Sequence, residues 1–299
     1  MTEIFIFNVA KLAVKSVINV AALYPKPGLI TPLTKSALDG IDFVTLTEGA
    51  MALFQCLVNC GAVGSESESM KPEEAFTLLK SPFKIGIQDV LQATRGKMSL
   101  SGHIFFTGLI TAAAGRLVAQ RRILTPGALM LAASSFARGI VERELWGIEQ
   151  NDNPEKTRTP SERAYIQYGF EGCRGEAEKN FPNVLAALSL YRELVATQGQ
   201  LDFRERAVHV LLSVMATLND TTVAFHNGIS ELLNLQNESQ NILRLGGATT
   251  LKGTEKIFEF DKNLTSKGIS PRASALILAT ALFVNDITQL KNTRSGYSV

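Results

Sequence analysis

Cysteine and histidine are both scarce here, three of each in 299 residues, and neither sign of charge prevails. Three cysteines in so long a chain build no disulfide framework and point to a reducing cytoplasm. Cys56 and Cys60 lie one helical turn apart, but no further Cys or His pair accompanies them, so they read as apolar core residues rather than metal ligands. Thirty Lys and Arg against 28 Asp and Glu leave a net charge of +2, which argues against a protein built around nucleic-acid backbones or acidic membrane surfaces. A local basic pocket is still allowed. Runs of β-branched residues between helical segments are absent too, which removes the basis for an α/β fold. The longest charge-free apolar run within a helical pattern, Ile104–Gly115, is short of the roughly 20 residues of a membrane span, so no membrane role is expected. Glu3, Lys11 and Lys15 interrupt the N-terminal apolar pattern, unlike a cleavable signal.

What is present is helical periodicity. Val9, Leu12, Ala13, Val17, Val20 and Ala21 recur at steps of three and four, and Tyr24-Pro25-Lys26-Pro27-Gly28 ends that helix. Phe43 to about Cys60 reads as the next helix, followed by a polar linker over Gly61–Ser69. Lys71-Pro72-Glu73-Glu74 opens another segment, with a further helix over Ile87–Thr94. Ser101 heads Ile104–Gln120, apolar nearly all round and therefore central. Thr125-Pro126 caps a helix reaching about Gly147, Pro182–Ala196 and Arg204–Leu218 are helical, the pattern resumes toward Leu245, and Thr249–Leu264 is mixed. Ser270-Pro271 opens a last apolar helix to about Val284. The expectation is an all-α fold of about ten to twelve helices. It forms one domain over residues 1–299, with Gln150–Ser161 as a mobile loop.

In such a fold the helix junctions are the natural places for chemistry. Lys26, between two prolines, is a cation on a stiff backbone suited to a phosphate oxygen; the plainer reading is an exposed lysine in a terminating turn. Gly172–Pro182 pairs Arg174 with Glu176 beside glycine turns; the plainer reading from spacing alone is a helix opening. Asp220 with Thr221 and Thr222 could hold Mg²⁺ or simply cap a helix.

Together these segments resemble a known family. Tyr24-Pro25-Lys26-Pro27-Gly28-Leu29-Ile30, Cys173-Arg174-Gly175-Glu176-Ala177 with Phe181-Pro182, Met215-Ala216 with Asp220-Thr221-Thr222, and Ser270-Pro271 with Ser274-Ala275 follow, in order, motifs of the triphosphoribosyl-dephospho-coenzyme A synthases. The likeness runs from about Val9 to Val284. It implies an all-α transferase that joins ATP to 3′-dephospho-coenzyme A and releases adenine. The product is the precursor of the prosthetic group on the acyl-carrier subunit of citrate lyase or malonate decarboxylase. It further implies Lys26, Arg174, Thr221, His226 and Ser270 around the nucleotide, Glu176 and Asp220 as catalytic carboxylates, and Asp42 with Asp220 as Mg²⁺ ligands. Partners would be the two substrates and an acyl-carrier protein or a lyase or decarboxylase subunit, with no nucleic acid; a homodimer is one assembly open to the chain.

The departures weigh against a simple transfer of function. Ser36-Ala37-Leu38-Asp39-Gly40-Ile41-Asp42 lacks the family's histidine and first aspartate and keeps Asp42. Met98-Ser99-Leu100-Ser101-Gly102 lacks a histidine and a lysine; His103 follows one position later and could replace the histidine, the plainer reading being a residue near a helix start. Thr222 stands for Asn, His226 for Arg, Arg272-Ala273 for Gly-Gly, and Leu276 for Asp. His209 reads as structural. Two other readings follow: a non-catalytic nucleotide-binding or regulatory relative, and a nucleotide-dependent transferase with another acceptor.

Overall fold

The computed structural model describes residues 2–148 and 158–290. Among the described residues there are thirteen α-helices and no strand. The first five are α1 (Thr2–Ala21), α2 (Phe43–Glu66), α3 (Pro72–Ala93), α4 (Ser101–Ala119) and α5 (Pro126–Ala137). Short helices α6 (Ile140–Glu144), α7 (Pro160–Tyr168) and α8 (Gly172–Glu178) precede α9 (Pro182–Thr197) and α10 (Phe203–Met215). The chain closes with α11 (Thr221–Arg244), α12 (Leu251–Ser266) and α13 (Arg272–Gln289). The all-α expectation is met. Most of the polar stretch 150–161 lies outside the described residues; its end, Pro160, already opens α7.

Caps explain many of the boundaries. Asp42 accepts from the Thr45 amide at 2.9 Å to start α2, and Thr125 accepts from Ala128 ahead of Pro126 to start α5. Asp202 and Glu205 form a capping box on α10.

Helix α4, buried on nearly every side, is the central rod, packed by α1, α2, α3, α5, α8 and α13. Helix α13 is the second buried rod, touching α1, α4, α9, α10 and α11. Lys15 on α1 pairs with Asp286 on α13 at 2.9 Å, tying the two ends of the chain together at the surface.

Three boundary expectations are corrected. The linker read over Gly61–Ser69 is mostly helix, because α2 runs on to Glu66. Its glycines let α2 lie against α4: a Cβ on Gly64 would stand 1.9 Å from the Ala112 carbonyl oxygen, and one on Gly115 2.2 Å from that of Gly61. In a helix Gly→Ala ordinarily gains stability. Here we expect Gly64→Ala to lose about 1–3 kcal/mol through forced separation of the two helices. Urea unfolding of the variant measures this, and a gain would show that the helices do not approach so closely. Second, α3 is continuous through Pro82, whose carbonyl accepts from the Cys56 thiol at 3.2 Å. Third, the helix expected up to Gly147 breaks after Ala137 at Gly139, whose φ is 69°.

The run-length argument on membranes is also corrected. Helices α1, α2 and α4 are long and apolar enough to cross a membrane, each over a window of 18 residues. Much of that surface faces the protein interior: 50%, 44% and 72% of those windows are buried.

Candidate active site

Two cavities meet where the N-termini of α4, α8, α11 and α13 converge. The larger, about 550 Å³, has aliphatic walls from Val17, Val20, Leu29 and Leu276 and polar groups from Lys26, Lys97, His103, Thr221, Thr222 and Ser270. The smaller, about 340 Å³, takes in Glu171, Glu176, Lys179, Asn183 and Thr221. Cys173, Thr221, Ala273 and Leu276 face both, as a shared partition. Segments far apart in the sequence, around Lys26, Met98–His103, Cys173–Glu176, Thr221 and Ser270–Leu276, are thereby gathered into one two-chambered site.

Lys26 is not an exposed turn lysine; it is 2% exposed. The turn that carries it is anchored by Gly28, whose φ of +68° leaves no room for a Cβ, 2.2 Å from the Ile269 carbonyl oxygen. The Gly28 amide donates to Asp261 at 2.8 Å. Lys26 Nζ donates to the carbonyls of Val20 and Ala21, the last turn of α1, where a cation also meets the negative end of the helix dipole. Burial pulls its pKa down to about 7, with the Asp261 charge opposing.

The two expected catalytic carboxylates both receive helix N-termini. Glu176 accepts from the Asn183 amide at 2.8 Å, the Asn183 side-chain amide at 2.7 Å and the Val184 amide at 3.1 Å. It thus caps α9, whose own N-cap, Phe181, is left-handed and offers no side-chain bond. Burial raises its pKa, partly offset by these donors. Asp220 is fully buried and serves two helices. One oxygen accepts from the amides of Thr222 and Val223 on α11, and the other from the amide and hydroxyl of Ser274 on α13, both at 2.9 Å. Burial raises its pKa against the pull of those four donors.

Arg174 lines neither cavity; its guanidinium meets Glu144 at 2.7 Å and Glu162 at 3.9 Å. His226 is exposed, edge-on to Phe225 with centroids 4.6 Å apart, and is likewise absent from both walls. Burial lowers its pKa, helped by the Arg272 charge and opposed by Asp39. Asp42 is the N-cap of α2; the Thr45 amide and hydroxyl hold its carboxyl below the usual range. Thr221, Thr222 and Ser270 do line the larger cavity.

Asp220 thus spends both oxygens on four donors and Asp42 uses one on the Thr45 amide, and no group of three or more His, Cys, Asp or Glu side chains among the described residues is placed to hold a metal ion. They do not fit a protein-built magnesium cage.

Other lining residues escaped the sequence reading. Lys97 lies one position before the segment that lost its lysine, so a search of flanking positions would have found it. Leu100, the N-cap of α4, is left-handed and gives no side-chain bond, so a long helix opens uncapped onto the larger chamber. Arg272, in place of a glycine, bonds Ser36 at 2.9 Å and pairs with Asp39, linking α13 to the loop that departs most from the resembled pattern. No local signal announces that pairing. Cys173 stays a thiol, its pKa pushed up to about 12 by burial.

The fold and site define a helical protein in which the N-termini of several helices converge on a paired cavity. A family model described as ATP:dephospho-CoA triphosphoribosyl transferase matches residues 6–295, and the chain belongs to that family. It is 31% identical over 284 residues to a protein of Citrobacter koseri named "Probable 2-(5''-triphosphoribosyl)-3'-dephosphocoenzyme-A synthase", covering 95% of this chain and 91% of that one. No solved structure matches the chain.

Proposed function

We propose that the protein joins ATP to 3′-dephospho-coenzyme A with release of adenine. The product, 2′-(5″-triphosphoribosyl)-3′-dephospho-coenzyme A, would serve the acyl-carrier prosthetic group of citrate lyase or malonate decarboxylase. The observation that carries the reading is the thin partition of Cys173, Thr221, Ala273 and Leu276 between two chambers, because the reaction needs two large substrates to meet at one bond. ATP takes the larger chamber. Its triphosphate lies toward Lys97 and the uncapped start of α4, where amides and helix dipole favour anions. The acceptor's ribose enters the smaller chamber beside Glu176.

Glu176 has three donors on its two oxygens, so one acceptor position is left on the oxygen held only by the Asn183 side chain. Its raised pKa makes it a stronger base than an exposed carboxylate, suited to taking the proton of the attacking 2′-hydroxyl. The C1′–N9 bond breaks with its electron pair on adenine while the C1′–O2′ bond forms, and adenine gains one proton for the one the hydroxyl loses. Asp220 acts here as a positioning residue that holds α11 and α13 at the partition. Magnesium would arrive with the triphosphate, as is usual for an ion that keeps its waters and binds substrate phosphates. Arg174 braces α8 through Glu144 and Glu162. A cytoplasmic setting suits these substrates and the free cysteines.

Purified protein incubated with ATP, Mg²⁺ and dephospho-coenzyme A is expected to release adenine, measured by chromatography, in step with loss of both substrates. Calorimetric ATP binding without adenine would support the non-catalytic relative instead.

A further inference from the structure

Six buried side-chain polar atoms among the described residues have no hydrogen-bond partner, on His103, Thr111, Arg206, His209, Asn227 and Ser270. Only His103 and Ser270 line a chamber of the site, and both line the larger one. A buried polar group left unpaired costs about 1–3 kcal/mol, so two in one cavity mark places where a ligand completes the bonding. Ser270 is 2% exposed and, although it stands just before α13, does not cap it: Pro271 is the N-cap and Asp220 takes the first-turn donors. Its hydroxyl is therefore free of the task its position suggested.

The chemistry of the wall selects the ligand. The hydroxyl and the imidazole share the larger chamber with the aliphatic side chains of Val17, Val20, Leu29 and Leu276 and with the cations Lys26, Lys97 and Arg272. Lys97 and the open start of α4 answer the triphosphate, and the aliphatic walls with their isolated donors fit the flat heteroaromatic ring of the same nucleotide, with its few edge acceptors. We propose that His103 and Ser270 hold the purine base of the nucleotide by its ring nitrogens and stabilise it as it departs. This rests on the transferase reading above. Burial lowers the His103 pKa to about 4, so the group is a neutral imidazole at working pH, giving one N–H and one acceptor. It donates a hydrogen bond rather than a proton. As the C1′–N9 electron pair passes to adenine, negative charge builds on the ring nitrogens, and a donor there bonds more strongly in the transition state than in the ground state.

The test compares wild type, His103→Ala and Ser270→Ala with ATP, 7-deaza-ATP and 3-deaza-ATP, each analogue lacking one ring acceptor. With ATP, His103→Ala is expected to lower kcat about 100-fold and Ser270→Ala about 10-fold. With the analogue that lacks the contacted nitrogen, wild type and variant should converge to within about threefold, which a merely structural role would not produce. Equal losses with all three nucleotides would overturn the assignment. Ser270→Ala removes a single oxygen, so it carries the same comparison if His103→Ala does not fold. Should wild type release no adenine, the transferase reading falls and the base site is judged by calorimetry. Weaker ATP binding by the variants then supports it, and unchanged binding overturns it.

Discussion

Replacing Asp220 by alanine is expected to lower the free energy of unfolding by about 3–5 kcal/mol, a large share of the roughly 5–15 kcal/mol typical of a folded protein. The carboxylate caps α11 through the Thr222 and Val223 amides at 3.1 and 3.3 Å, and α13 through Ser274. Losing an N-cap costs about 1 kcal/mol per helix, up to about 2. The fully buried Ser274 would also be left with a hydroxyl and an amide that water cannot reach, which adds about 1–3 kcal/mol. Urea unfolding measures the total. Asp220→Asn keeps one acceptor oxygen and is expected to lose less. A variant as stable as wild type but without turnover would return Asp220 to the chemical role that the motif suggests.

The second large effect concerns Lys26 and pH. Its pKa falls from an ordinary 10.5 to about 7 on folding, so between those values the unfolded chain binds more protons than the native one. Stability therefore rises with pH across this window. The cost of burying the protonated amine is fully present below about pH 7 and is relieved as pH approaches 10.5. Wild type compared with Lys26→Met should gain up to about 1.4 kcal/mol for each step of one in pH above 7, the free energy of a tenfold change in proton activity. Urea titrations of both proteins at pH 7, 8 and 9 read the slope directly. A flat difference would mean that the amine keeps an ordinary pKa and reaches solvent. The Val20 and Ala21 carbonyls hold two of its three hydrogens, so the protonated form still has one for a ligand in the larger chamber.

The sequence made the helices legible wherever local chemistry decides the outcome. Thr125-Pro126 starts α5 by its cap and proline, and Pro72 with Glu73 and Glu74 starts α3 without a side-chain cap, all within one turn. It misled where tertiary contact decides. Gly61 and Gly64 look like linker residues, yet their missing side chains make room for α4; the segments opening at Lys71 and at Ile87 look like two helices, yet α3 runs unbroken through both. In the site, Lys26, Thr221, Thr222 and Ser270 could be found as cavity residues from the motifs they sit in. The engagement of Arg174 with Glu144 and Glu162 could not, because it depends on the placing of α6 and α7. Lys97 was hidden for another reason: it lies one position before a motif segment that had lost its own lysine.

The partition between the chambers has a thermodynamic meaning. Four side chains that touch both spaces cannot adjust to one occupant without changing what the other meets. Any factor by which bound ATP alters the affinity for the acceptor must equal the factor by which the acceptor alters the affinity for ATP. Cys173 and Leu276, uncharged and packed against the core, contribute to that coupling through side-chain shape, a part that added salt leaves nearly unchanged while it screens the repulsion between the two anionic ligands.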